Sequence, residues 1–426
     1  MSLTVDICAY DKPPSACRGG PHVWIQRWPL ELRQLDINVR MKLLNWYEPS
    51  EGVAFQSLKR DGIEVNAARF KDTQSNIRWL LSQIQQSPPD VFLPNLVIPA
   101  LFAARWVREG GIPTVGILHS DDDFYRGLQS EFLFGRQQFR LSALVCVSEV
   151  LKQQVLAGHP QDTVVRRIAY GVPVPATQVQ RQTSVLRLAY VGRFAEEQKR
   201  ISEVARAFCR CVREVPGTEA VLYGDGPDRT SVENVLAVEG KGLPVRLAGR
   251  VDSDQIQQQL LECHVIVLLS DYEGLPIALM EGMACGCVPV CLRIRSGIPE
   301  LVEDGVTGLL VNDKADSFVK AIRRLRNEPD LWERLSCAAR AKVRSQYSNE
   351  CCAGQWAGLL RELHAASGSK CAIKIPGRFD LPPVHAALAP EDPRAPLPSP
   401  LPVRVFRRSR ILAGKVRRWL PGQTVL

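Results

Sequence analysis

HVIVLLSDYEGLPIALMEGMACGCVPVCLR, residues 264–293, decides the fold. It opens on a nearly unbroken apolar run, HVIVLLS (264–270), and closes on a second, VPVCLR (288–293). Each is short and rich in β-branched residues, which favours a strand over a helix. The stretch between them has helical length, and Pro276 suits a first helical turn, where its missing N–H costs nothing. Two apolar strands joined by a helix form a parallel βαβ unit with both faces of the sheet covered.

The same alternation runs outward in both directions. On the second half of the chain, LRLAYVGRF (186–194), EAVLYGDG (219–226), VRLAGRV (245–251) and GLLV (308–311) read as further strands. On the first half, SLTVDICAY (2–10), INVRMKLL (37–44), GIEVNAARF (62–70), DVFLPNL (90–96), IPTVGILHS (112–120) and ALVCVSEV (143–150) do the same. Helical spacing fills the gaps, as from Gln74 to Gln86 and from Pro99 to Glu109, and from Asp313 to about Ala366 the pattern is helical throughout. VPATQVQRQTS (174–184) is polar and aperiodic, the best linker in the chain. The fold class is therefore α/β: two doubly wound, Rossmann-like domains joined near residue 180. Ligands bind outside the carboxyl ends of such strands, so the expected site is the cleft between the domains.

The 426 residues, 45% of them hydrophobic and 23% charged, suit a globular chain of two or three domains and exclude wholesale disorder. No apolar run is long enough to span a membrane. The start, MSLTVDICAYDKPPS, carries Asp6 within its apolar stretch and has no basic leader, so a cytoplasmic location is expected. The net charge of +9 is uneven: residues 367–426 hold eleven Lys/Arg against three Asp/Glu. Nucleic-acid binding by the body of the protein does not follow from such a distribution. The 13 cysteines show no metal-ligand spacing and read as reduced, mostly buried thiols.

The last 60 residues depart from this pattern. Nine prolines among residues 376–402 suggest a semi-rigid spacer. VRVFRRSRILAGKVRRWL (403–420) carries seven Lys/Arg and no acid, interleaved with apolar residues. That composition fits a basic amphipathic segment on an anionic membrane surface.

Chemistry-bearing residues gather at the ends of the strands. Glu273 falls in the loop after one strand and Glu281 within the first turns of the following helix, so both carboxylates can face one cleft. Carboxylates in pairs accept hydrogen bonds from the hydroxyls of a sugar or ribose. Gly274, Leu275 and the helix start offer backbone N–H groups to an anion, with the helix dipole aiding them. Gly192 permits close backbone approach, while Arg193 and Lys199 supply a fork and a point charge for a diphosphate. Gly224-Asp225-Gly226-Pro227, Ser296-Gly297-Ile298-Pro299-Glu300 and Arg18-Gly19-Gly20 mark further tight loops. His119 ends a strand ahead of Asp121, Asp122 and Asp123. Three consecutive acids rarely converge on one ion, so they read as a solvated loop or a helix N-terminus.

These strings together resemble family 4 glycosyltransferases of the GT-B fold. GRFAEEQKRISE, YGDGP, EGLPIALMEGMACGCVPV and SGIPELVEDGVTGLLV are similar, in order, to the motifs of that family's nucleotide-binding domain. Gly19-Gly20, His119, CVSEVLKQQV and YGVPV resemble its first domain more loosely, with Tyr170 where the family usually carries Asn. The resemblance covers roughly residues 1–366. It implies an acceptor-side domain over 1–175, a nucleotide-sugar-binding domain over 186–350, a closing helix over 351–366 and a tail over 367–426. It further implies that Arg193 and Lys199 bind the donor diphosphate, Glu281 the ribose hydroxyls and Glu273 the donor sugar. Gly274, Leu275 and Gly192 would present backbone near sugar and phosphate. Gly19, Gly20 and His119 would face the donor from the first domain. The implied reaction is retaining glycosyl transfer from a nucleotide sugar, with no metal or other cofactor required.

The expected acceptor is a saccharide or a lipid-linked sugar of cell-envelope or exopolysaccharide synthesis, and no nucleic acid is expected as a partner. Two alternatives stay open. A nucleotide-sugar epimerase would need no acceptor. A non-catalytic scaffold would be expected to have lost Glu273, Arg193 or Lys199, and all three are present.

Overall fold

The computed structural model describes residues 2–14, 19–181 and 185–389. The first half begins with β1 (Leu3–Tyr10), β2 (Ile37–Asn45), β3 (Glu64–Arg69) and β4 (Val91–Leu93), a parallel sheet in the order β3-β2-β1-β4. A bridge between Phe92 and Thr114 extends it to β5 (Val115–Leu118), β6 (Ala143–Cys146) and β7 (Val164–Arg167). Its helices are α1 (Gly20–Arg33), α2 (Val53–Arg60), α3 (Thr73–Gln86), α4 (Ile98–Glu109), α5 (Asp123–Phe132) and α6 (Glu149–Ala157).

The second half holds β8 (Leu186–Val191), β9 (Thr218–Tyr223), β10 (Val245–Gly249), β11 (Val265–Leu268), β12 (Val288–Leu292) and β13 (Leu309–Val311). They form one parallel sheet, β10-β9-β8-β11-β12-β13. Around it lie α7 (Glu196–Lys199), α8 (Ile201–Glu214), α9 (Arg229–Val238), α10 (Ile256–Leu260), α11 (Ile277–Cys285) and α12 (Ile298–Leu301). Three helices close the chain: α13 (Asp316–Asn327), α14 (Leu331–Gln346) and α15 (Asn349–Ala366).

Both sheets reverse direction of growth beside their first strand, between β1 and β4 and between β8 and β11. At such a switch point the loops leaving the two strands diverge, and a crevice opens outside their carboxyl ends. Gly19-Gly20 follows β1, Gly192-Arg193 follows β8 and Glu273 follows β11, so the fold itself gathers the residues singled out in the sequence.

The strands are buried because helices cover both faces: every residue of β5, β6 and β11 is buried. α15 leaves the second domain and packs on the first, with the Trp356 ring 5.8 Å from Trp24 and 5.2 Å from Trp28 of α1. The described cysteines are all free, and most are buried. Among the described residues no helix is long and apolar enough to cross a membrane.

Two features differ from the sequence reading. β7, Val164–Arg167, is a strand that its short, half-basic VVRR sequence concealed. Residues 376–389, expected as part of a spacer, lie instead against the first domain. The Arg78 guanidinium donates to the carbonyls of Pro376 and Gly377, and Gln85 donates to the Ile373 carbonyl. Phe379 sets its ring 4.9 Å from Trp106, and Ile373, Phe379 and Leu388 are buried. Three buried apolar side chains, with hydrogen bonds from Arg78 and Gln85, dock a proline-rich strap that has no periodicity. The basic stretch 403–420 and residues 390–402 lie outside the described residues.

Candidate active site

The cleft between the domains encloses a cavity of about 820 Å³. Gly19, Gly20 and His119 line it from the first domain; Gly192, Arg193, Lys199, Glu273, Gly274, Leu275 and Glu281 line it from the second. The structure thus brings all ten candidate residues to one chamber. Gly224 to Pro227 join them.

Two helices point their N-termini into this chamber. α1 begins at Gly20, and its first turn carries no acid. α11 begins after Pro276, whose neighbours Ile277 and Ala278 also line the wall. Both turn the positive end of a helix dipole toward the chamber; at α1, Pro21 has no N–H and the His22 and Val23 N–H groups donate to the Gly19 carbonyl. Arg193, Lys199 and Arg250 add positive side chains to a lining that also holds Asp122, Asp225, Asp252, Glu273 and Glu281.

Close packing of backbone fixes where the domains meet. A Cβ on Gly274 would lie 2.1 Å from the His119 carbonyl oxygen, and one on Gly20 would lie 3.0 Å from the Ile277 side chain. Only glycine at 274 allows the second-domain loop to rest on the first domain at this point. The Gly297 N–H donates to the Gly274 carbonyl at 2.9 Å and holds that loop in place.

The Lys199 ammonium donates to Glu273 at 2.5 Å, and both groups are largely buried. Cation and carboxylate hold each other at the chamber wall, where each could turn to a ligand of opposite character. The Arg193 side chain makes no hydrogen bond or ion pair with the described residues. Glu281 is fully buried, and burial pushes its carboxyl above the usual range, opposed by the nearby Arg27 guanidinium. Arg27, on α1, donates to Glu281 at 2.7 Å and to the Ser253 carbonyl at 2.6 Å.

His119 sits in the wall under different constraints. Its Nδ1 pairs with the Tyr170 hydroxyl and its Nε2 with Asn95 Oδ1 at 2.9 Å. The Tyr170 ring stacks on it. One assignment satisfies all three groups: Tyr170 donates to Nδ1, and the Nε2–H donates to Asn95. Burial depresses the His119 pKa to about 3, so the ring is neutral. His119 therefore lines the chamber, as expected, with its ring held by Tyr170 and Asn95.

Glu300 from the Ser296–Glu300 loop does not reach the chamber. Its carboxylate accepts from the Glu149 N–H at 2.5 Å, at the start of α6, and from Arg167 at 3.1 Å. It is a strut between the domains. The acidic run resolves as read: Asp122 caps α5 by accepting from Phe124 and Tyr125 N–H, while Asp121 and Asp123 pair with Arg126. Among the described residues no group of three His, Cys, Asp or Glu side chains could hold a metal ion.

Arg27, Arg250, Asn95 and the strut role of Glu300 escaped the sequence reading. Arg27 sits within WIQRW on an ordinary amphipathic helix, and nothing local distinguishes it. Asn95 carried one usable signal, a polar residue two positions beyond the apolar strand Val91–Leu93.

Comparison with known proteins agrees with this geometry. Residues 185–328 match the family model described as Glycosyl transferases group 1. This part of the chain is a group 1 glycosyltransferase domain. Alpha-D-kanosaminyltransferase of Streptomyces kanamyceticus is 30% identical over 175 residues, which are 41% of this chain and 45% of that protein. A putative colanic acid biosynthesis glycosyltransferase, WcaL of Salmonella typhimurium, is 28% identical over 321 residues, 70% of this chain and 78% of that one. The match thus spans under half the length of the first relative and over three quarters of the other. The crystal structure of Anabaena Alr3699/HepE in complex with UDP and glucose superposes with a TM-score of 0.68 at 16% identity. It covers 84% of this chain and 100% of that one, so the glycosyltransferase domain and the domain facing it together have the GT-B fold.

Proposed function

We propose that the protein is a retaining glycosyltransferase. It moves a sugar from a nucleotide-sugar donor to a saccharide or lipid-linked acceptor in cell-envelope or exopolysaccharide synthesis. The observation that carries this reading is the convergence of Arg193, Lys199, Glu273, Glu281 and two helix N-termini on one interdomain chamber. The relatives named above include a glycosyltransferase of colanic acid biosynthesis, which supports the substrate class.

In this reading the donor diphosphate lies between the N-termini of α1 and α11, against Arg193 and Lys199. Lys199 exchanges Glu273 for phosphate, and Glu273 accepts from hydroxyls of the donor sugar. Glu281 accepts from the ribose. As the bond from the anomeric carbon to phosphate oxygen breaks, the electron pair stays on the diphosphate. The two cations and the helix dipoles stabilise that charge more than they stabilise the intact donor, which is the condition for catalysis. The acceptor oxygen bonds to the anomeric carbon on the same face, and its proton passes to the departing phosphate. No protein base is then required, in keeping with a His119 that stays neutral and fully engaged. No metal is assigned a role. Closure of the cleft excludes water that would otherwise hydrolyse the donor.

The basic segment 403–420 belongs to the same proposal: an anionic membrane surface at the cytoplasmic face would bring the enzyme to a lipid-linked acceptor. The strap leaves Leu388 against Gly127 of α5, the helix whose Tyr125 lines the chamber. The chain therefore leaves the described structure on the first domain.

A thermal-shift series with UDP-, GDP- and ADP-sugars tests the donor site, with Glu281→Ala beside the parent. Ligand at about 100 times its Kd adds roughly 2.7 kcal/mol of stability. One nucleotide class should raise the Tm of the parent and leave the variant unmoved. A folded parent that responds to none defeats the reading.

A further inference from the structure

Tyr10, Trp46 and Phe70 form an aromatic cluster at the carboxyl ends of three adjacent strands. Tyr10 is the last residue of β1, Trp46 follows the last residue of β2, and Phe70 follows the last residue of β3. The Phe70 N–H donates to the Asn45 carbonyl at 2.6 Å, which holds the two strand ends level. Ring centroids stand 4.9 Å apart for Tyr10 and Trp46, 4.8 Å for Trp46 and Phe70, and 5.8 Å for Tyr10 and Phe70. Tyr10 and Phe70 are half-buried and support Trp46, whose surface is 53% exposed. A tryptophan held between two rings and left open to water is a prepared contact face, since its own burial would have been worth more to stability.

None of the three rings lines the donor chamber, but the chain links them to its wall. Asp11 follows Tyr10 directly, and its carboxylate caps α2 by accepting from the Ala54 and Phe55 N–H groups, each at 2.9 Å. His22 lies 3.9 Å from the same carboxylate, in the first turn of α1 that lines the chamber through Gly20, Pro21 and Val23. Arg250, another chamber residue, donates across the cleft to the Pro14 carbonyl at 2.9 Å. Buried Asp11 and His22 thus connect the end of β1 to the first turn of α1, on the side of the first domain that faces the cleft.

We infer that Trp46, supported by Tyr10 and Phe70, is the acceptor subsite and stacks on a pyranose ring of a saccharide acceptor. A pyranose has an apolar C–H face that packs on an aromatic ring and an edge of hydroxyls that needs polar neighbours. Lys12, Glu48, Arg69, Lys71 and Asp72 adjoin the three rings in sequence. That mixture of both charges suits hydroxyls, whereas an anionic membrane surface would select bases alone. The inference rests on the glycosyltransferase reading above.

The test uses the full chain labelled with 5-fluorotryptophan, with the Trp46 ¹⁹F resonance assigned by Trp46→Phe. Methyl α- and β-pyranosides of glucose, galactose, mannose, N-acetylglucosamine and glucuronic acid are titrated at millimolar concentration. At least one should shift the Trp46 resonance saturably. In the transfer assay with the responding saccharide, Trp46→Ala should raise acceptor KM at least ten-fold with kcat within two-fold, and Trp46→Phe should restore most of the loss. A Trp46 resonance that answers no saccharide, or only anionic vesicles, overturns the inference. So does a fall in kcat with unchanged KM. The nucleotide-sugar thermal shift separates the two failures: a protein that binds donor while Trp46 ignores saccharides defeats the subsite alone.

Discussion

Arg27 reaches across the cleft to Glu281, its guanidinium donating at 2.7 Å to a carboxylate buried in the opposite domain. A second N–H donates to the Ser253 carbonyl of that domain at 2.6 Å. One side chain therefore ties α1 to α11 and to the loop ahead of α10. The tie ends on the carboxylate that the proposed mechanism assigns to the ribose. Binding of a nucleotide must displace Arg27 or share Glu281 with it.

Replacing Arg27 by alanine should accordingly weaken the free protein while sparing the donor. A buried carboxylate that loses its partner typically costs 3–5 kcal/mol, and less where the partner is partly exposed, as Arg27 is. A fall in Tm of a few degrees is expected, with a nucleotide-sugar Kd equal to or tighter than that of the parent. Unchanged Tm together with weaker donor binding would instead make Arg27 a donor ligand.

Gly274 makes a sharper claim about closure. A Cβ there would stand 2.1 Å from the His119 carbonyl, a contact of backbone with backbone that no rotamer can relieve. Gly274→Ala should hold the domains apart and lower transfer by ten- to a hundredfold. Far-ultraviolet circular dichroism should be unaltered, because each domain keeps its own core. Gly377→Ala, where a Cβ meets nothing within 4 Å, is the control. Full activity in Gly274→Ala would show that this contact is dispensable.

The buried histidines give the fold an acid limit. Burial lowers the His119 pKa to about 3 and that of His264 to about 4, against about 6.5 in an unfolded chain. Between pH 6.5 and 4 the unfolded state binds these two protons and the folded state does not. Their contribution to stability is therefore complete above pH 6.5 and lost progressively below it, by about 1.4 kcal/mol per pH unit for each proton. His119→Gln should lower stability at neutral pH and make its decline between pH 6.5 and 4 shallower by about one proton. Parallel stability curves for parent and variant would contradict this account of His119.

The legible part of this protein is the part governed by local rules. Apolar β-branched runs such as HVIVLLS can only be covered strands. A Gly or Pro at a strand end, as at Gly192 or Pro276, marks where the backbone turns toward a ligand. The strand order then places all such ends at one crevice, which is why ten scattered residues line a single chamber. Interactions between the domains leave no such local trace. Arg27 is one arginine on an amphipathic helix, and Glu300 ends a short loop whose Gly297 braces Gly274. His119 could be placed from the sequence but its partners could not, because Asn95 and Tyr170 lie 24 and 51 residues away along the chain. The strap was concealed for another reason: proline-rich composition reports a lack of regular structure, and a docked strap has none either.

That strap separates two effects that a single truncation would merge. Ile373, Phe379 and Leu388 are buried, and Lys370 donates to Asp90 at 2.5 Å. Burial of a large apolar side chain is worth about 1.5–3 kcal/mol. A chain ending at Ala366 should therefore lose several kcal/mol in urea denaturation and expose Trp106, which Phe379 covers. A chain ending at Ala389 keeps the strap and lacks the basic segment. It should unfold with the parent and give the same nucleotide-sugar thermal shift, yet fail to sediment with vesicles containing anionic lipid. If the chain ending at Ala389 still binds such vesicles, residues 403–420 are not the membrane contact. If the chain ending at Ala366 unfolds with the parent, the packing of the strap contributes nothing to the stability of the first domain.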